Sequence, residues 1–235
     1  MRRSSARSIT GEAAPRRHPA EGGYARGEET RARIVSAALR VFGEQGYRQA
    51  STRRIAASAG VNPPALQYYF GGKEGLHRAC GQHIIDQVSA LLSPAIEAAR
   101  AVRAGDRPRA VEGLCALMTA MLSGLALPGS ESWSRFVNRS KADEEGPALA
   151  MFHECLFMPL LEAAVRLVGI ATARPGTDPV VRLRTHALLG QVTSIYPNRA
   201  LILKSLNWSQ FDARALELIE RVVIEHTRAA LQRSS

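Results

Sequence analysis

Apolar residues recur at intervals of three and four along most of the chain, and this spacing predicts an all-α protein. The first apolar stripe starts near Glu28 and includes Ile34 and Phe42. Gly43 and Gly46 mark its end. No segment alternates between apolar and polar residues for long enough to predict a β-sheet.

Two short helices are predicted next. Ser51 is suited to cap a helix that runs through Ser58. Pro63 is suited to the first turn of a second helix, which ends at Tyr69. Gly60 lies between them and can adopt the left-handed backbone that a tight turn needs. Two short helices joined in this way indicate a helix-turn-helix, whose second helix enters the major groove of DNA.

Longer helices separated by Gly, Pro, Asn and Asp are predicted after this unit. Their predicted bounds are Lys73 or Glu74 to about Val102, Arg109 to Leu125, Ser130 to Asn138, Gly146 to Ile170, Pro179 to Tyr196 and Phe211 to Gln232. The pattern divides the chain into a disordered basic tail (1–27), a three-helix helix-turn-helix DNA-binding domain (28–75) and a C-terminal helical domain (76–232).

The charge of the chain favours a polyanionic partner. The formal net charge is +10 and the sequence pI is about 10.3. Basic side chains displace the counterions held around phosphates, which favours nucleic acid, although a basic surface also serves solubility. The arginine-rich tail could contact DNA as a basic arm, or it could be an inert solvated extension.

The cysteines, termini and apolar runs indicate a cytoplasmic protein. Cys80, Cys115 and Cys155 are too few and too irregularly spaced for a disulfide framework or a metal site, and we expect buried thiols. No run of about 18 uncharged apolar residues predicts a membrane span, and no apolar run follows the N-terminal arginines as in a secretory signal. We therefore expect no membrane association, no metal and no cofactor.

Several side chains around the predicted turn have the chemistry to contact DNA. Gln67 can make paired hydrogen bonds to adenine, and Tyr68 can contact thymine methyls or sugar–phosphate walls. Arg53 can reach guanine or phosphate, and Lys73 stands at a helix N-terminus that attracts phosphate. For Tyr69, core packing is as plausible as a phosphate contact. The full candidate set is Thr52, Arg53, Asn62, Pro63, Pro64, Gln67, Tyr68, Tyr69 and Lys73.

The run from Thr30 to Leu76 resembles the TetR family of bacterial repressors. The residues that carry the resemblance are Ile34, Ala37, Ala38, Phe42, Gly46-Tyr47, Ile55-Ala56, Ala59-Gly60-Val61, Leu66, Tyr68-Tyr69-Phe70 and Lys73-Glu74-Gly75-Leu76. The sequence YYFGGKEGL resembles the CecR-like branch of this family, as does the later run ALLGQVTSIYPNRALILKSLNW. Ala65 and Gln67 depart from the threonine and tyrosine frequent in the family, so the operator cannot be carried over from relatives.

The resemblance implies a ligand-sensing and dimerising C-terminal domain. A mostly apolar pocket with a few polar groups suits a small lipophilic effector. The candidate lining residues are Met118, Met121, Leu122, Trp133, Phe136, Arg139, His153 and Phe157, although an ordinary helical core explains any one of them. The resemblance also implies a four-helix homodimer interface made by the last two long helices of each subunit.

Three functions are compatible with these features. The first is a repressor that binds a pseudo-palindromic operator as a dimer and is released by a small molecule. The second is an enzyme, but no nucleophile elbow, glycine-rich phosphate loop or paired metal motif is present. The third is a DNA-binding regulator that responds to a protein partner, and a filled interior without a cavity would favour it.

Overall fold

A computed structural model describes residues 21–143 and 146–232, and these residues form helices without a β-strand. In chain order the helices are α1 (Glu21–Gln49), α2 (Thr52–Ala59), α3 (Pro63–Phe70), α4 (Lys73–Ala101), α5 (Arg107–Ser123), α6 (Ser130–Asp143), α7 (Ala148–Phe152), α8 (Met158–Thr172), α9 (Pro179–Thr193), α10 (Arg199–Leu206) and α11 (Ala213–Gln232). A 3₁₀ turn, Gly124–Ala126, follows α5, and a π-helical turn, His153–Phe157, joins α7 to α8. The all-α prediction is confirmed.

Several helix bounds differ from the sequence prediction, and the single helix predicted from Gly146 to Ile170 is divided into α7, a π-helical turn and α8. Helix α1 begins at Glu21, so the end of the predicted disordered tail is helical; residues 1–20 lie outside the described part of the chain. Helix α6 continues beyond Asn138, where the sequence predicted its end, to Asp143. Helix α10 was not predicted, and its absence of buried residues explains why no apolar stripe revealed it.

The first hydrophobic core joins the N-terminal helices to helices much later in the chain. Ile34, Phe42 and Leu66 are buried there, together with Phe136 of α6 and Phe152 of α7. Helix α6 packs along α1 so closely that a Cβ on Gly43 would lie 3.2 Å from the Phe136 nitrogen. Helix α1 is therefore held against α6, whereas α3 is held against α4.

The second core lies among α4, α5, α8, α9 and α11. Two stretches that contribute to it, Arg107–Ala126 and Ala148–Thr172, are long and apolar enough to cross a membrane by length and composition alone. Helices α5 and α8, which contain most of these residues, pack against each other. Their apolar character accordingly serves this core, which is a common composition for central helices.

Two of the three cysteine thiols are buried, as the sequence predicted. Cys80 and Cys115 are buried, and burial raises the pKa of both. The expectation of burial was wrong for Cys155, which is exposed because it lies on the outer side of the π-helical turn, where Leu156 faces inward.

His77 lies at the junction of α1, α4 and α6 without a full set of hydrogen bonds. It is 1% exposed, and the rings of Phe42, Tyr47 and Phe136 surround it at centroid distances of 4.8, 4.8 and 4.7 Å. Its Nδ1 has no hydrogen-bond partner among the described residues. Burial, with a smaller contribution from the charge of Lys73, lowers the pKa of His77 to about 4.

The turn between α3 and α4 fixes the direction of α3. Gly71 and Gly72 have φ values of 68° and 118°, a region that favours glycine. A Cβ on Gly75 would lie 1.8 Å from the carbonyl oxygen of Phe70. The first turn of α4 therefore touches the last residue of α3 directly, and a movement of α4 carries α3 with it.

Gly75→Ala is expected to destabilise the protein by about 1–3 kcal/mol, because the added methyl group must displace the end of α3. The measurement is urea unfolding followed by circular dichroism. The matched control is Gly124→Ala, whose Cβ would meet only Leu91 Cδ1 at 4.0 Å. Equal stability of the two variants would contradict the close contact between α3 and α4.

His77→Phe is expected to flatten the pH dependence of stability. The unfolded state takes up a proton as the pH falls below 6.5, whereas the folded state resists protonation until about pH 4. The contribution of neutral His77 to the free energy of unfolding is therefore complete above pH 6.5. It declines by on the order of 2–3 kcal/mol as the pH falls towards 4. Urea unfolding at several pH values measures this slope; parallel slopes for the two proteins would show that His77 is not the group responsible.

Candidate nucleic-acid interface and ligand cavity

Helices α2 and α3 form a helix-turn-helix. Ile55, Ala56 and Ala59 bury the inner face of α2, and Leu66 buries that of α3. Gly60 adopts the left-handed conformation (φ 66°, ψ 37°) that the sequence predicted for the turn. Ser51 stands at the predicted cap position, but its hydroxyl makes no capping hydrogen bond.

The outward face of this unit carries most of the predicted DNA contacts. Tyr68 is 84% exposed, and Gln67 lies beside it in the open. Arg53 is exposed and makes no ion pair or hydrogen bond with a described residue, so its guanidinium is available to a ligand. The others are Asn62, Pro63 and Pro64, which are exposed, and Thr52, which is half-buried.

Tyr69 and Lys73 also take part in the protein's own packing. The half-buried ring of Tyr69 stands 5.1 Å from that of Tyr68. The Lys73 ammonium donates to the Arg48 carbonyl oxygen at 2.9 Å and lies 5.0 Å from the Tyr47 ring centre. This ammonium therefore fixes the end of α1 against the start of α4, and a phosphate contact by Lys73 stays a prediction.

Sequence reasoning missed Arg40, which connects α1 to α2. It donates to Ser36 Oγ and Ser58 Oγ, at 3.2 Å each. The second bond joins α1 to the solvent side of α2. A contact between residues 18 positions apart has no signature in helical periodicity.

A cavity of about 210 Å³ lies between α4, α5, α6, α8 and α9. Met121, Trp133 and Phe157, which the sequence nominated, line it, and Tyr196 and Lys141 were not nominated. Lys141 follows Trp133 by eight residues and shares its helical face, but the prediction ended α6 three residues too early to include it. Larger grooves of about 630–740 Å³ lie elsewhere, along α11, along α8 and between α5 and α11.

The remaining nominated residues lie away from this cavity wall. Met118 and Leu122 are buried in the second core, and Phe136 is buried against α1 in the first. His153 is exposed and packs on Phe157, with ring centres 5.5 Å apart. Arg139 is half-buried and is absent from the wall. Helical spacing identified the apolar residues, but it could not say which neighbour each would face.

The predicted dimer helices divide their apolar residues between the inside and the outside. Leu188, Leu189 and Val192 of α9 and Val223 of α11 are buried in the second core. Leu183 of α9 and Val222 of α11, in contrast, are 70% and 41% exposed. Val180, at the start of α9, is also exposed. Both helices thus close the subunit's own core and still present large apolar side chains to solvent.

In the part of the chain that the structure describes, no cluster of three or more His, Cys, Asp or Glu side chains could hold a metal ion. The site chemistry rests instead on exposed hydrogen-bonding and cationic groups on α2 and α3 and on a separate apolar cavity. The first suits a nucleic-acid surface and the second a lipophilic small molecule.

Comparisons with known proteins agree with this arrangement. Residues 34–80 match the family model of bacterial regulatory proteins of the tetR family. Residues 110–233 match the C-terminal domain of the HTH-type transcriptional dual regulator CecR. The CecR protein of Shigella flexneri is 34% identical over 210 residues, which are 88% of this chain and 93% of that protein.

Solved structures show the same fold at lower identity. AibR, crystallised with isovaleryl coenzyme A and operator DNA, has a TM-score of 0.61 at 18% identity, covering 84% of this chain and 97% of that one. PfmR from Thermus thermophilus has a TM-score of 0.55 at 18% identity, covering 86% and 95%. Proteins of the TetR family are transcriptional regulators and not enzymes. The chain belongs to the TetR family of helix-turn-helix transcriptional regulators, in its CecR-like branch.

Proposed function

We propose that this protein is a repressor that binds a pseudo-palindromic operator as a homodimer and leaves it when a small lipophilic effector occupies the cavity. It would act in the cytoplasm, where the DNA lies. The observation that carries the proposal is that two helices of the cavity wall also pack against the DNA-binding domain: α4 packs against α3, and α6 packs against α1. The cavity is therefore connected to α3 through α4, and to α1 through α6.

DNA reading is assigned to the exposed face of α3. The side-chain amide of Gln67 offers a donor and an acceptor to an adenine edge, and Tyr68 beside it offers an apolar ring. Arg53, from the start of α2, supplies a guanidinium that no described residue pairs with and that can bind guanine or phosphate. The net charge of +10 supplies long-range attraction to the DNA.

Release is assigned to a shift between two arrangements of α4 and α6. Ile84, Val88 and Leu92 of α4 line the cavity, and Trp133 and Val137 of α6 face the same space. The volume of about 210 Å³ is below the roughly 300–1,000 Å³ typical of ligand sites, so a larger effector must move these walls apart. Because the first turn of α4 contacts α3, movement of the cavity wall changes the distance between the α3 helices of the two subunits.

A dimer is typical of the family, and the exposed apolar residues of α9 and α11 support one here. A four-helix interface would cover Leu183 and Val222, which cost free energy while they face water. Two recognition helices at a fixed spacing then bind two half-sites together, which multiplies their separate affinities. The structure of AibR with both a ligand and operator DNA supports the same combination of partners.

The Gln67→Ala, Tyr68→Ala double variant is expected to lose about ten- to a thousandfold in operator affinity, because both lost groups face the groove. The target sites come from genome-wide mapping of DNA bound by the unaltered protein, and gel shifts measure the affinity. Gln82→Ala, an exposed position on α4, is the matched control. Full binding by the double variant would refute the assigned orientation of α3.

Leu183→Glu is expected to convert the dimer to monomer, because a carboxylate at that position cannot be covered by apolar partners. Sedimentation velocity measures the change, and operator affinity should fall about 100-fold or more as the second half-site is lost. Tyr68→Glu is the control for the oligomeric state, since it adds a carboxylate at another exposed apolar position. A dimeric Leu183→Glu variant would exclude this face as the interface.

A further inference from the structure

Lys141 gives one end of the cavity a positive charge. Among the described residues that line the cavity, the others are apolar or neutral polar, and Lys141 alone carries a formal charge. The residue is exposed overall, yet its ammonium lies 4.4 Å from the centre of the Phe157 ring, which belongs to the cavity wall. The ammonium therefore stands at the mouth of the cavity, between solvent and an apolar interior.

The positive charge of the Lys141 ammonium is only partly offset by the described groups around it. No carboxylate of the described residues forms an ion pair with Lys141. Partial burial beside Phe157 desolvates the ammonium and lowers its pKa. The face of Phe157 replaces only some of the lost hydration, whereas a carboxylate would provide a charge-assisted hydrogen bond.

The other strong polar groups of the wall are already satisfied. Ser130 Oγ and Tyr196 Oη lie 2.6 Å apart, and both lie 2.9 Å from the Leu125 carbonyl oxygen. These hydroxyls thus bond to each other and to the backbone. Ser134, Asn138 and Lys141 follow one another on the cavity-facing side of α6 at spacings of four and three residues. The Ser134 hydroxyl and the Asn138 amide can each donate a hydrogen bond to an anion bound beside Lys141.

From this arrangement we infer that the effector is a small anionic amphiphile, whose carboxylate binds Lys141 at the cavity mouth while its apolar part fills the interior. This inference rests on the proposed function and specifies its ligand class. A dry cavity of about 150 Å³ holds benzene, so about 210 Å³ admits a short alkyl chain, and a longer chain must move the walls apart as the proposed release requires.

Three probes with the same eight-carbon chain and different head charges test the inference: octanoate, 1-octanol and octylammonium. Isothermal titration calorimetry on the full-length protein measures each dissociation constant. Octanoate should bind about tenfold more tightly than octanol, the size of one partly exposed charge-assisted contact. Lys141→Gln should abolish that difference, Lys141→Arg should retain it, and Lys141→Glu should make octylammonium the preferred probe.

Lys204→Gln is the matched control, because it removes the same charge from α10, outside the cavity wall. Equal binding of octanoate and octanol by the unaltered protein would overturn the anionic head group but leave a lipophilic effector in place. Absence of binding by all three probes would overturn both proposals. A Lys141→Gln variant that has a lower melting temperature but an unchanged ratio of octanoate to octanol affinity would also overturn the inference, because Lys141 would then serve stability alone.

Discussion

The close packing of α6 on α1 is the contact on which the rest of the molecule depends. At Gly43 the two backbones approach to a distance that leaves no room for a larger side chain, and Phe136 fills the space beside it. Full burial of a phenylalanine contributes about 1.5–3 kcal/mol, so this contact is strong relative to the net stability of a domain. It packs α1, the first helix of the DNA-binding domain, directly against the C-terminal helical domain, so the two domains are not connected by a linker alone.

The buried junction also explains the placement of His77. A histidine among three aromatic rings has no room for a hydrating water shell, so the neutral form is imposed on it. Lys73, one turn away on α4, brings a positive charge to the same junction and thereby opposes protonation further. The result is a rigid, uncharged contact at the point where α1, α4 and α6 meet.

The sequence predicted the local features of this protein better than its long-range contacts. The turn at Gly60, the proline at the start of α3 and the exposed side of that helix all follow from residues a few positions apart. The contact of Phe136 with Phe42 joins residues almost a hundred positions apart, and no helical period encodes it. For the same reason only part of the nominated cavity wall lies on the cavity, and Lys141 was missed when the end of α6 was placed too early.

The small volume between α4 and α6 has a consequence for how sensitive the regulator can be. An effector that must widen its own binding site spends part of its interaction energy on that widening, and its apparent affinity falls by the fraction of molecules already open. Under the proposed mechanism, the effector concentration needed for release would then depend on how easily the walls move as well as on contacts with the ligand. A substitution such as Met121→Leu, which changes how easily the cavity wall moves, would change the effector concentration needed for release without changing the class of effector that binds.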